Sequence, residues 1–171
     1  TPMATLLSML EQRVGDHLAK INEQSDGASQ EMSLEKALDK MLAEWKPMDF
    51  DCMEYRDSGT YILRGLDEIQ SLFDDHIVKT QAMRGSPFVK PFEQRCRDWE
   101  AKLISMQEII DEWLKCQAVW LYLEPIFSSE DIKRQMPQEA KRFIQVDRLW
   151  RKTMVATEQK PNVLLATSTE G

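Results

Sequence analysis

The chain has 171 residues, enough for one sizeable domain, and its 42% hydrophobic and 30% charged residues exclude wholesale disorder. A formal net charge of −7 argues against a nucleic-acid or anionic-membrane partner for the surface as a whole. Six Gly and seven Pro, set against plentiful Met, Leu, Glu, Lys and Gln, favour helices and exclude a many-stranded sheet.

Leu7, Leu10, Val14, Leu18 and Ile21 recur at three- and four-residue steps, which predicts an amphipathic helix over about 3–24 ending at the turn-rich Ser25-Asp26-Gly27. Ser33 is placed to cap a second helix, 33–46, carrying Leu34, Leu38, Met41, Leu42 and Trp45 and stopped by Pro47. At Met48 the period becomes two: Met48, Phe50 and Cys52 alternate with acidic residues, Arg56-Asp57-Ser58-Gly59 supplies a turn, and Thr60 to Leu63 returns. Residues 48–63 therefore predict a β-hairpin, which needs helices to cover it. A third helix, 66–83, has Asp67 and Glu68 in its first turn and Leu66, Ile69, Phe73, Ile77 and Thr80 along one side.

The fourth predicted helix, 88–124, dominates. Cys96, Trp99, Leu103, Met106, Ile110, Trp113, Gln117 and Trp120 follow in alternating steps of three and four, a heptad seam on a helix about 50 Å long. Pro125 lacks a backbone donor and restricts Glu124, so the helix is expected to end there and the chain to turn a corner. Ser128 or Ser129 can cap a new turn whose positive end suits Glu130 and Asp131, and Pro137 opens a fifth helix, 137–157, with Ala140, Phe143, Val146, Trp150 and Met154 along it. Residues 158–171 hold the apolar Val163 to Ala166, expected to be left without a domain to bury it. The expected fold is mainly α: an elongated helical rod with one long central helix and a small hairpin.

Chemistry finds little foothold. There is no GxxxxGK[ST] loop and no GxGxxG turn to cradle a phosphate. Cys52, Cys96 and Cys116 are odd in number and lack CxxC spacing, which indicates neither a disulfide framework nor a zinc site and fits reduced intracellular thiols. Cys96 and Cys116 would lie about 30 Å apart on one helix. His17 and His76 sit on separate helices and read as structural or surface residues. The pairs Asp74-Asp75, Asp111-Glu112 and Glu130-Asp131 point about 100° apart on a helix and read as solvated faces or caps. The basic run Lys133 to Lys152 is interrupted by Glu139 and Asp147 and reads as a solvated face. Catalytic, cofactor-binding and metal residues are therefore expected to be absent, with no apolar run long enough to span a membrane.

Three stretches carry a family resemblance: "SQEMSLEKALDKMLAEWKPMDF" (29–50), "SPFVKPFEQRCRDWEAKL" (86–103) and "WLKCQAVWLYLEPIFSSEDIKRQMPQEAKRFIQVDRLWRKTM" (113–154). Together they resemble the linker region of a dynein heavy chain, over about residues 5–160. The "EPIFSSEDI" wording is similar to axonemal heavy chains, the single-headed inner-arm kind in particular. The resemblance implies a mostly helical mechanical element that arches over a ring of AAA+ ATPase modules and swings as the ring's nucleotide state changes, in the axoneme of a cilium or flagellum. It implies ATP and Mg in the ring of the parent motor and none in these residues. The implied partners are the AAA+ ring of the same heavy chain and, through the parent chain, other dynein subunits. The segment would be the N-terminal part of the linker, cut before its remaining helices.

A lever needs a stiff corner, and Pro125, Ile126 and Phe127, with Trp120 and Leu123 packed beneath them, are expected to build it; Trp99, Trp113, Phe143 and Trp150 are the further residues expected to serve a structural or mechanical role. The competing reading is a coiled-coil or spectrin-like interaction module whose tryptophan seam binds a partner helix.

Overall fold

A computed structural model describes the backbone of residues 2–168 and the side chains of residues 17–168. The elements are helix α1 (Pro2–Glu44), strands β1 (Asp51–Glu54) and β2 (Tyr61–Arg64), helix α2 (Asp67–Arg84), a 3-10 turn at Lys90–Phe92, and helices α3 (Glu93–Phe127), α4 (Glu130–Gln135), α5 (Pro137–Gln159) and α6 (Val163–Ala166). The mainly α architecture with one small antiparallel hairpin is as the sequence predicts.

The first two predicted helices are a single one. Ser25-Asp26-Gly27 lies inside α1 and does not break it. Once Leu38, Met41 and Trp45 are buried against the body, each further residue toward the N-terminus adds a hydrogen bond to an existing helix, and the glycine costs only about 1 kcal/mol. Ser33 consequently caps nothing. Leu18 and Ile21 are more than half exposed, while the side chains of Leu7, Leu10 and Val14 lie outside the described residues.

β1 and β2 pair antiparallel with Asp51 opposite Arg64 and Cys52 opposite Leu63. The turn uses Arg56 and Gly59 at positive φ, 51° and 68°. On one side the hairpin is clamped by α3, because Gln117 Oε1 accepts from Leu63 N–H at 2.8 Å and Gln117 Nε2 donates to the Leu63 carbonyl at 2.9 Å. One side-chain amide thus supplies what a third strand would.

Residues 158–168 fold back rather than dangle. Phe50 N–H donates to Pro161 O at 2.7 Å and Val163 N–H to Met48 O at 2.9 Å. Asn162 Nδ2 donates to Lys46 O at 2.9 Å, and its Oδ1 accepts from Leu165 N–H. Val163 is fully buried, which corrects the expectation that this apolar stretch lacks a domain to cover it; Leu165 alone stays largely exposed.

α3 is the spine, about 52 Å long at 1.5 Å per residue. Its seam faces the protein's own core: Cys96, Trp99, Leu103, Met106, Ile110, Gln117 and Trp120 are buried and Trp113 is half-buried. α2 covers the N-terminal half of the seam with Ile69, Phe73, His76, Thr80 and Met83, and α5 and the hairpin cover the C-terminal half.

Pro125 does not end α3, which runs on to Phe127. Proline forfeits one hydrogen bond, to the Leu121 carbonyl, but only the last turn is affected. That turn is held by Ser128, whose N–H and Oγ donate to Glu124 O at 3.0 and 2.8 Å. The corner therefore falls at Ser128-Ser129. Ser129 occupies the N-cap position of α4 in an extended conformation, without a side-chain capping bond.

Candidate functional site

The C-terminal third of α3 meets α5 and the hairpin in an aromatic junction. Trp120, fully buried, stacks on Trp150 of α5 with ring centroids 5.3 Å apart and planes 20° from parallel. It also meets Tyr55 edge-on, at 5.1 Å and 71°. Two residues beyond Pro125, Phe127 stacks on Phe143 at 5.2 Å and 19°. These two stacks tie α3 to α5 at points seven residues apart on both helices, so that neither hinge nor slide is free.

A polar relay closes the same junction. Trp120 Nε1 donates to Asp147 Oδ1 at 3.0 Å, Arg151 Nε donates to Asp147 Oδ2 at 2.9 Å, and Arg151 Nη1 donates to the Ser58 carbonyl in the hairpin turn at 2.8 Å. Three elements are thus joined by three bonds, with the Asp147 carboxylate using both oxygens.

Of the nine residues singled out in the sequence, seven gather here. Trp113 packs its edge on Phe50 at 5.5 Å, and Leu123 and Ile126 are half-buried beside Trp120, Phe127, Phe143 and Trp150. Trp99 is elsewhere, 21 positions before Trp120 and so about 30 Å up the helix, buried with its indole nitrogen unpartnered among the described residues. Pro125 faces solvent. Val146, expected on the inward stripe of α5, is about half exposed, because the neighbouring Asp147 takes the position facing Trp120. Asp147, Arg151, Tyr55 and Ser58 were missed; only their neighbourhood in space reveals them, since Arg151 and its partner Ser58, for example, lie 93 positions apart.

A second junction holds α1 to α2. Trp45 packs on Phe73 at 4.6 Å, and its Nε1 donates to Nδ1 of the fully buried His76 at 2.9 Å. His76 Nε2 lies 2.8 Å from Glu44 Oε2. Farther along, Arg84 pairs with the mostly buried Glu100, and Arg95 reaches Asp39 at 2.7 Å.

Titratable chemistry is otherwise dispersed. Burial pushes the Cys96 thiol up, and burial with Glu158 and Asp51 nearby does the same for Cys52. The three acidic pairs are solvated, and no group of three potential metal-ligating side chains occurs among the described residues. No helix there is long and apolar enough to cross a membrane.

Comparison with known proteins agrees with the motif reading. The family model described as "Dynein heavy chain, N-terminal region 2" matches residues 1–171. Dynein axonemal heavy chain 12 of Rattus norvegicus is 52% identical over 167 residues, 98% of this chain. Dynein axonemal heavy chain 3 of Mus musculus is 49% identical over 166 residues, 97% of the chain, and Dynein axonemal heavy chain 1 of Mus musculus is 51% identical over 150 residues, 88% of it. The chain spans only 5%, 4% and 4%, respectively, of the length of these three relatives.

Proposed function

Since this chain belongs to the dynein heavy chain family, within its N-terminal region, we propose that it is a force-transmitting segment of the linker of an axonemal heavy chain. It performs no chemistry of its own in this reading; it moves as a stiff body when an ATP-driven AAA+ ring, elsewhere in the same heavy chain, changes state. ATP and Mg belong to that ring, and other dynein subunits are reached through the parent chain. The observation that carries the reading is the clamping of α3 along both halves, by α2 at one end and by the stacked Trp120–Trp150 and Phe127–Phe143 pairs at the other. A lever passes on force only as far as its joints resist bending, and joints made of buried aromatic stacks resist it well.

The interaction-module alternative loses its main support in the structure. Most of the heptad seam is covered by the chain's own α2, α5 and hairpin, which leave Trp99 5% and Trp120 1% exposed.

The test is a pair of distance measurements in the intact motor. With fluorophores at Asp98 and Tyr122, both exposed on α3, the separation should be the same in every nucleotide state; with one fluorophore at Tyr122 and its partner on the ring, it should change with nucleotide. A nucleotide-dependent change within α3, or none between Tyr122 and the ring, would contradict the proposal.

A further inference from the structure

Four serines of the chain have a carboxylate three residues on: Ser8 before Glu11, Ser71 before Asp74, Ser105 before Glu108 and Ser128 before Asp131. That spacing is what an acid-directed serine kinase reads, and the fold separates the four. Ser8, Ser71 and Ser105 lie inside α1, α2 and α3, wound and hydrogen-bonded, whereas a kinase cleft takes its substrate as an extended segment. Ser128 is exposed at the turn between α3 and α4, with Glu130 as a second carboxylate ahead of Asp131. The six residues of α4 include none that is buried, and its one apolar side chain, Ile132, is only partly buried against the core. A helix so short and so lightly held opens at small cost.

We propose that Ser128 is a phosphorylation site for an acid-directed serine kinase, and that the phosphate releases the corner between α3 and α4. In the transfer, Ser128 Oγ bonds to the γ-phosphorus of ATP, the bond from that phosphorus to the bridging oxygen breaks, ADP leaves, and the hydroxyl proton passes to the kinase's base. The direction of the effect follows from what the hydroxyl does beforehand. Its proton is offered to Glu124 O at 2.8 Å and to Glu124 Oε1 at 3.0 Å, and a phosphate ester has no such proton to give. The group that replaces it carries roughly two negative charges, set beside the Glu124 side chain and at the negative end of the 35-residue α3. The nearest cations along the chain, Lys133 and Arg134, already face Glu130 at 2.8 Å and Asp131 at 3.8 Å. Nothing therefore draws the phosphate in, and the turn is pushed outward. Ser129 is the poorer substrate, because its third residue on is Ile132 and its carbonyl accepts from Lys133 N–H at 3.1 Å. The inference needs the turn and its hydrogen bonds, not the lever role.

The experiment treats the full-length heavy chain with phosphatase, then with an acid-directed serine kinase and ATP, and maps phosphate by mass spectrometry. Within residues 1–171 the native chain should be labelled at Ser128 and not at Ser8, Ser71 or Ser105, while a proteolytic digest of the same chain should take label at all four. Ser128→Ala should remove the label from the turn. Hydrogen exchange at the amides of Ser128, Ser129, Lys133 and Met136, all bonded in the unmodified chain, should quicken about tenfold on phosphorylation, with the N-terminal half of α3 unchanged. Label on Ser71 or Ser105 as strong as on Ser128 overturns the proposal. So does a native chain unlabelled at Ser128 when its digest is labelled there, label that persists in the turn of Ser128→Ala, or phosphate on Ser128 that leaves exchange unchanged or slower. The unmodified segment can still transmit force, so these failures leave the proposed function standing.

Discussion

The indole N–H of Trp45 points at Nδ1 of His76, 2.9 Å away, inside a wholly buried contact between α1 and α2. An indole nitrogen can only donate, so Nδ1 must accept, and the ring proton must sit on Nε2, where it is donated to Glu44 Oε2 at 2.8 Å. Nitrogen NMR of the chain near neutral pH should therefore find His76 with an unprotonated Nδ1. Trp45→Phe, which deletes the donor and leaves that nitrogen buried and unpaired, should cost about 1–3 kcal/mol in urea unfolding. A protonated Nδ1 would refute the arrangement.

Gln117 is a harder case for mutation than its place in the seam suggests, because its amide serves both polar groups of Leu63. Gln117→Ala should cost about 2 kcal/mol or more, since two buried groups on the hairpin edge lose their partner. Gln117→Glu keeps the acceptor but turns a carboxylate on the Leu63 carbonyl. The folded state then holds its proton more tightly than the unfolded state, so the deficit of this variant should shrink as pH falls from 7 toward 5. A deficit independent of pH would show that the side chain does not face that carbonyl.

The three tryptophans of α3 should separate in a denaturation series. Trp99→Ala and Trp120→Ala remove fully enclosed rings and should each cost about 3–5 kcal/mol, whereas half-buried Trp113 should cost about half as much or less. Equal costs for all three would mean that Trp113 is covered as completely as its neighbours.

Pro125 offers an inexpensive check on the end of α3. Because the helix continues to Phe127 and the ring is exposed, Pro125→Ala restores a hydrogen bond to the Leu121 carbonyl. It should stabilise the chain by about 1 kcal/mol, after the lost rigidity of the unfolded state is set against it. A loss of stability would place the corner at the proline instead.

How far the sequence discloses the fold depends on what each signal measures. The heptad seam and the 48–63 alternation report packing, and packing decides structure, so α3 and the hairpin are legible. Ser25-Asp26-Gly27 and Pro125 report only local preference, worth a few kcal/mol at most, and both are overridden: by the anchoring of α1 through Leu38, Met41 and Trp45, and by the Ser128 bonds at the end of α3. The Asn162 latch, the Gln117 clamp and the Asp147–Arg151–Ser58 relay join residues 54 to 116 positions apart or depend on such a joint, and nothing in a single sequence marks them. Of the junction, Trp120, Phe127, Phe143 and Trp150 are visible in advance, and Tyr55 and the polar partners are not.

The central claim is that the α3–α5 junction carries load, and the most direct measurement is the ratio of microtubule gliding velocity to ATP turnover in an intact motor. Phe127→Ala with Phe143→Ala removes one stack and leaves the Trp120–Trp150 stack and the Asp147 relay to hold the fold. Velocity should fall by a clearly larger factor than turnover, because the ring still cycles while its output arm yields. If velocity and turnover fall in equal proportion in a motor that remains folded, the junction does not transmit force.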